Sequence, residues 1–254
     1  MVRHCGAEIN MGRFFVDAAN VGEQSIVIDL KEDIRHITKV LRLSPGRRIQ
    51  ISDSASWEYE TEIVSIQEDC IEAKILDKQK FAREPGLQVT LFQGIPKQSK
   101  MEVIVQKCVE MGIFSIIPVF TERTVVTDKG NFTKKRERWQ RVAAESVKQC
   151  RRGLIPQIRE EISFGQMAER LSDFDLVLFP YEEETQATIK DCLRNLKAKP
   201  QTVAIIIGPE GGFSPKEAEA LKDPGISVSL GKTILRTETA GLAALAMVMY
   251  ELEL

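Results

Sequence analysis

The sequence predicts an α/β protein in two parts, a small β-rich domain followed by a larger domain on a mostly parallel sheet. Three observations carry this. Between Ser25 and Leu76, short strand-like runs are separated by polar turns, with a single helical pattern among them. After Gly86 the rhythm changes to alternating strands and helices. Near the C terminus, two strand, glycine turn and helix units follow one another, and adjacent strand ends of that kind form a crevice for a ligand.

The first domain begins after Met1–Asn10, which precedes a second start at Met11 and reads as a dispensable extension. Ser25–Ile28 alternates as a strand. Asp33–Leu43 reads as a helix, with Ile34, Ile37, Val40 and Leu41 on one side. Ser44-Pro45-Gly46 is a turn, and strands are expected at Arg47–Ser52, Glu58–Ile66 and Cys70–Leu76. Several short strands with one helix, over residues 11–76, suggest a small β-barrel. His36, Arg42, Arg47 and Arg48 lie close together at its helix and first turn, either as surface groups or as phosphate or base contacts. Asp77–Gly86 is charged and ends in Pro-Gly, the signature of a linker.

In the larger domain, 87–254, Gln88–Phe92 reads as a strand and Gly94–Lys97 as a turn. Lys100–Met111 reads as a helix with Met101, Ile104, Val105, Cys108 and Val109 at helical spacing, ended by Gly112. Ile116–Phe120 is a strand, Thr133–Cys150 a basic helix and Phe164–Leu171 a looser segment. Leu176–Phe179 is a strand and Glu183–Leu196 a helix. Val203–Ile207 is apolar and β-branched, as a strand covered on both faces should be. Gly208, Gly211 and Gly212 follow, then a capping box, Ser214-Pro215-x-Glu217. Ile226–Leu230 repeats the theme, with Gly231 as the break. Thr239–Leu252 is apolar almost all round until Glu251, so it must be buried on all sides, within its domain or at a subunit interface.

Composition narrows the chemistry. The 254 residues are 43% hydrophobic and 28% charged with a net charge of −2, which suits an ordinary globular protein. No apolar run reaches the roughly 18–20 residues that span a bilayer, and no signal-peptide core opens the chain, so a cytoplasmic location is expected. Five scattered cysteines and two distant histidines argue against a metal site. The near-neutral total hides a local excess. From Arg123 to Arg152, ten basic residues face three acidic ones, giving +7 against −9 for the rest. Such a run is either a solvated helix face or a surface for a polyanion. Neither G-x-x-x-x-G-K-[ST] nor G-x-G-x-x-G occurs, and no Ser/His or Cys/His pair stands out.

The combination of motifs is far more specific than any one of them. Gly208-Pro209-Glu210-Gly211-Gly212-Phe213-Ser214, followed by Leu230-Gly231-x-x-Ile234-Leu235-Arg236-x-Glu238-Thr239-Ala240, closely resembles the ribosomal-RNA uracil-N3 methyltransferases of the SPOUT class. The resemblance extends over almost the whole chain from Met11. It takes in Arg13-Phe14-Phe15, His36 to Arg42, Lys97-x-x-Lys100-Met101-Glu102, Gln106 to Gly112, Arg138-Trp139 and Gln149-Cys150-x-Arg152. Where the family often carries an acidic residue before that glutamine, this chain has Lys148.

The resemblance implies a PUA-like RNA-binding barrel ahead of a SPOUT-type parallel sheet with a C-terminal trefoil knot. It implies a homodimer with the last helix at the interface. The implied donor is S-adenosylmethionine, held by Phe179-Pro180-Tyr181, by Gly208, Glu210, Gly211 and Gly212, and by Leu230, Gly231, Ile234, Leu235, Arg236, Thr239 and Ala240. The implied substrate is a uridine of small-subunit ribosomal RNA in the assembled particle, contacted by His36, Arg42, Lys97, Lys100, Arg123, Arg138 and Arg152. For the chemistry, Arg236 is the expected stabiliser of charge on a uracil oxygen, with Glu238 or Glu210 as proton acceptor or as a purely local capping group. The rival readings are a SPOUT enzyme acting on a ribose 2′-hydroxyl or on transfer RNA, and an RNA-binding assembly factor without catalysis.

Overall fold

The structure, a computed structural model, describes residues 12–81, 84–125 and 132–253. The extension 1–10 lies outside them. The chain divides into two compact units, Met1–Glu84 with Lys148–Ile155, and Pro85–Val147 with Pro156–Leu254.

The first unit contains strands β1 (Arg13–Phe15), β2 (Ser25–Ile28), β3 (Arg48–Ser52), β4 (Trp57–Ile66) and β5 (Ile71–Lys80), with helix α1 (Lys31–Arg35) between β2 and β3. They form one sheet in the order β1-β3-β4-β5-β2. Its first and last strands, β1 and β2, are not paired with each other among the described residues. Ile34 and Ile37 complete a core with Phe14, Ile26, Ile49, Ile51 and Ile63. The helix expected from Asp33 starts earlier and changes character, α1 passing into a π-helical turn at His36–Val40. β5 runs four residues beyond the expected strand, into the stretch read as linker. Trp57 pairs with Lys80 across the ladder, and the Lys78 ammonium lies 5.1 Å from the Trp57 ring centroid. A charged stretch with an aromatic partner across the strand remains a strand.

Lys148–Ile155 belongs to this unit for reasons of hydrogen bonding. The Ser52 hydroxyl donates to Gly153 O at 2.6 Å, and Arg13 donates to Arg151 O at 3.0 Å and Arg152 O at 2.9 Å. Lys148 pairs with the buried Asp33 at 3.1 Å, which gives that unexpected basic residue a local partner.

The second unit runs β6 (Gln88–Gly94), α2 (Lys100–Glu110), β7 (Ser115–Phe120), α3 (Phe132–Cys150), β8 (Gln157–Ile158), β9 (Ile162–Ser163), α4 (Phe164–Arg170), β10 (Leu176–Pro180), α5 (Ile189–Arg194), β11 (Thr202–Ile207), α6 (Pro215–Leu221), β12 (Ile226–Val228) and α7 (Thr237–Leu252); α3 enters the first unit at Lys148. The sheet is parallel at every pair, in the order β12-β10-β11-β6-β7-β8, with β9 also on β7. Alternate side chains serve opposite layers. Phe92, Val177, Phe179, Ala204 and Ile206 pack with Met167 of α4 and Leu221 of α6. On the other face α7 lies against Leu91 and Ile207 at Gly241. Helices on both faces explain the near-continuous apolar strands.

Two expectations about helices fail. The segment read as loose is helix α4, set by a capping box in which Ser163 and Gln166 exchange hydrogen bonds. The helix expected over Glu183–Leu196 is only Ile189–Arg194. Glu184 ends its upstream extension, because its carboxylate accepts from the N–H groups of Gln186 and Ala187 and from the Ser227 hydroxyl. A side chain that takes the backbone donors of its own segment competes with helix.

Candidate active site

The carboxyl ends of β12, β10 and β11 stand side by side, since these strands are neighbours in the sheet. The loops leaving them carry the residues singled out from the sequence. Pro180 closes β10; Gly208, Glu210, Gly211 and Gly212 form the loop after β11; Leu230, Gly231, Ile234 and Leu235 lie between β12 and α7. Arg236 is the N-cap residue of α7, and Thr239 and Ala240 lie in its first turn, both donating their N–H groups to Arg236 O at 2.8 Å.

The glycine loop is shaped by close approach. A Cβ on Gly94, at the end of β6, would lie 2.5 Å from Pro209 N, so the two backbones touch. Gly212 has φ +66, open to glycine at little cost. The Ser214/Glu217 capping box forms as expected, and Glu217 also accepts from the Glu122 N–H at 2.8 Å. Arg123 donates to Gly211 O at 2.8 Å from outside.

Glu210 accepts from the Lys97 N–H and from Lys100 Nζ, both at 3.0 Å, and Lys100 also pairs with Glu238 at 3.2 Å. Lys100 thus ties α2 to the glycine loop and to the first turn of α7. Burial pushes the Glu210 carboxyl up, but the Lys100 ammonium and the N–H groups of Glu210 and Lys97 outweigh it, leaving the group below its ordinary range. The hydrogen bond to Glu210 in turn holds the Lys100 ammonium above its usual value, against a smaller opposing effect of burial. The Arg236 side chain is exposed, and no ion pair engages it among the described residues. Ile234 is 79% exposed beside it in sequence.

The basic residues separate into different situations. Arg138 reaches Glu102 in the first turn of α2 at 2.9 Å, so Lys97, Lys100, Arg123 and Arg138 gather about the start of α2 and the glycine loop. His36 is exposed in the first unit, edge-on to Phe14, and Arg42 is exposed there with φ +52. Arg152 is only 5% exposed and grips Glu84 with two nitrogens, Nη2 at 2.7 Å and Nε at 3.2 Å, a structural tie within the first unit. Lys100 is likewise engaged by two carboxylates. Three or more metal-ligating side chains do not come together anywhere among the described residues.

Sequence reasoning missed Gln93 and Thr237. Gln93 Nε2 donates to Thr237 Oγ1 at 2.9 Å, and that hydroxyl donates to Gly208 O at 2.6 Å. The available signal was a lone amide ending an apolar strand directly before Gly94.

A parallel sheet with ligand loops at its carboxyl edge, joined to a small separate β unit, is the architecture of a two-part RNA methyltransferase. Residues 83–249 match the family described as RNA methyltransferase domain, and residues 30–76 that described as RNA methyltransferase PUA domain. The ribosomal RNA small subunit methyltransferase E of Bacillus subtilis is 32% identical over 251 residues, 96% of this chain and 98% of that protein. That of Buchnera aphidicola subsp. Schizaphis graminum is 34% identical over 226 residues, 86% of this chain and 88% of its own. The crystal structure of the Neisseria gonorrhoeae protein of that name, bound to S-adenosyl methionine, has a TM-score of 0.80 at 27% identity, covering 94% of this chain and 97% of its own. The chain belongs to the ribosomal RNA small subunit methyltransferase E family.

Proposed function

We propose that this protein transfers the methyl group of S-adenosylmethionine to N3 of a specific uridine in 16S ribosomal RNA of the small subunit. The observation that supports this is that the loops leaving three neighbouring strand ends carry the motif residues, the exposed Arg236 among them, in a chain of this family. The residues suit such a donor. Ile234 offers an apolar surface that stands open, and at Gly231 no atom lies within 4 Å of where a Cβ would be, so a ligand can reach the backbone. Pro180, the Gly208–Gly212 loop, Leu230–Arg236, Thr239 and Ala240 would hold it, within a trefoil knot whose threading brings α7 back to the glycine loop.

When bound, the donor supplies a methyl group made electrophilic by its sulfonium. This chain does the rest. Uracil N3 carries a proton and is a poor nucleophile until that proton leaves, so stabilising the uracil anion and holding it in line are the main tasks. Arg236, whose guanidinium is uncommitted, carries the first. Glu210 and Glu238 are both matched to Lys100, and Glu210 is held below its ordinary range, which makes it a weak proton acceptor. In this reading the two glutamates fix Lys100 and the loops, the N3 proton leaves to solvent water, and the uracil anion held by Arg236 then takes the methyl group as the sulfonium becomes a neutral thioether. His36, Arg42, Lys97, Arg123 and Arg138 meet the RNA. The active form is a cytoplasmic homodimer joined through α7.

Two measurements test the reading. Calorimetry should detect S-adenosylmethionine binding, and mass spectrometry of ribosomal RNA from a deletion strain should show one 3-methyluridine missing. An unchanged nucleoside profile overturns the substrate; absent donor binding overturns the enzyme.

A further inference from the structure

We propose that Gln93 is a positioning residue which, through the Thr237 hydroxyl, sets the spacing between the glycine loop and the entry of α7, and with it donor affinity. This rests on the donor site proposed above and names what holds it in shape.

Gln93 is fully buried in the middle strand region of the sheet, and among the described residues its Oε1 has no hydrogen-bond partner. A buried amide oxygen left without a donor is destabilising, and an apolar side chain of similar volume would avoid that. Stability is therefore a poor reason for a glutamine here. What the amide supplies is direction. Nε2 donates to Gly94 O at 3.0 Å and to Thr237 Oγ1 at 2.9 Å. Turning the amide over would set its oxygen against the Gly94 carbonyl, so the partners fix the orientation. The Thr237 oxygen accepts from Gln93, and its one hydrogen goes to Gly208 O at 2.6 Å.

The relay is clamped at each end. Gly241 of α7 comes so near that a Cβ there would lie 3.3 Å from Gln93 Oε1, and Gly94 already touches the backbone at Pro209. Arg236 makes no side-chain cap for α7, while the hydroxyl of the next residue is directed to the glycine loop. Gly208 begins one proposed donor loop, and Leu235 and Arg236 end the other. The amide thus holds the Thr237 hydroxyl, next in sequence to one loop, on the Gly208 carbonyl of the other. Loss of the relay leaves the apolar sheet and α7 packed, but frees the loops to shift relative to each other.

The test compares S-adenosylmethionine affinity by calorimetry with thermal midpoint for wild type, Gln93→Met, Thr237→Val, Thr237→Ser and the Gln93→Met/Thr237→Val double variant. Expected are a loss of about tenfold in affinity for Gln93→Met and for Thr237→Val, the size of one buried hydrogen bond. The double variant should lose no more than about the larger single loss, because both changes cut one relay. Thr237→Ser keeps the hydroxyl and should bind like wild type. Gln93→Met should melt no lower than wild type. Wild-type affinity in Gln93→Met, or equal losses in Thr237→Ser and Thr237→Val, would overturn the relay. If Gln93→Met fails to fold, the Val and Ser variants at Thr237 decide alone. A wild type that binds no donor overturns the proposed function itself.

Discussion

Arg236 and Arg152 show how differently two arginines of one chain are used. Arg236 gives its backbone oxygen to α7, accepting from Thr239 and Ala240, and leaves its guanidinium in solvent. Arg236→Ala keeps that backbone oxygen. Thermal midpoint should therefore stay at the wild-type value while turnover falls about 10²–10³-fold, the loss seen when one donor to a developing oxyanion is removed. Near-normal turnover in a methyl-transfer assay would remove Arg236 from the mechanism. Arg152 is the reverse case. Its partner Glu84 also accepts from the N–H groups of Gly153 and Leu154, at 2.8 and 3.0 Å. Arg152→Ala leaves that part-buried carboxylate with its N–H donors only, and should cost about 1–3 kcal/mol in urea unfolding. An Arg152→Ala protein of wild-type stability that had lost RNA affinity would restore it as an RNA contact. Glu184 supplies the pH dependence. The N–H groups of Ala187 and Gln186 and the Ser227 hydroxyl hold its carboxyl down from 4.5 to about 2. A carboxyl lowered on folding stabilises the fold above its unfolded value and stops doing so as pH falls through its folded one. The stability gap between wild type and Glu184→Gln should be constant above the ordinary value of 4.5 and close between there and about 2. A gap that persisted to the lowest pH would mean the carboxylate is not what the loop is built on.

Among the elements, those with a strong local cause were legible and those decided by distant partners were not. The Ser214-Pro215-x-Glu217 start of α6 and the glycine after α2 follow from capping chemistry contained in a few residues, and both appear as read. The core strands β6, β7, β10 and β11 were readable from apolar runs. The expected helix over Glu183–Leu196 fails because Glu184 finds Ser227, a partner forty-three residues away. The end of β5 was hidden because Trp57, on another strand, keeps Lys78 and Lys80 extended. The site divides the same way. Its glycine turns, Arg236 and the two glutamates stood out as motifs, whereas Lys100 joining both glutamates depends on loops 110 residues and more apart in the chain. The partner of Gln93 was hidden for the same reason, as nothing near it in sequence announces Thr237.

At the scale of the whole molecule, the last helix poses the remaining question. Its apolar composition predicted burial all round, and within one chain only one side obtains it. Gly241, Ala244, Leu245, Val248 and Met249 are buried, while Ala246 and Tyr250 face solvent, Tyr250 at 70% exposure. Leu242, Ala243 and Met247 are only half covered. A helix whose outer face is alanine, methionine and tyrosine, with no charge between Glu238 and Glu251, has the small and aromatic character of a subunit contact and not of a solvated surface. On the proposed dimer, two copies of this face meet about a twofold axis, so one substitution enters the interface twice. Ala246→Glu should therefore convert a dimeric mass to a monomeric one in light scattering, since two buried like charges would face each other without partners. Because Ala246 is exposed within the chain, the monomer should remain folded, with wild-type circular dichroism. Thr237 and Arg236 open this same helix, so the monomer's donor affinity reports whether the site needs the second copy. A wild type already monomeric at micromolar concentration would overturn the dimer, and an Ala246→Glu protein that stays dimeric would place the contact elsewhere.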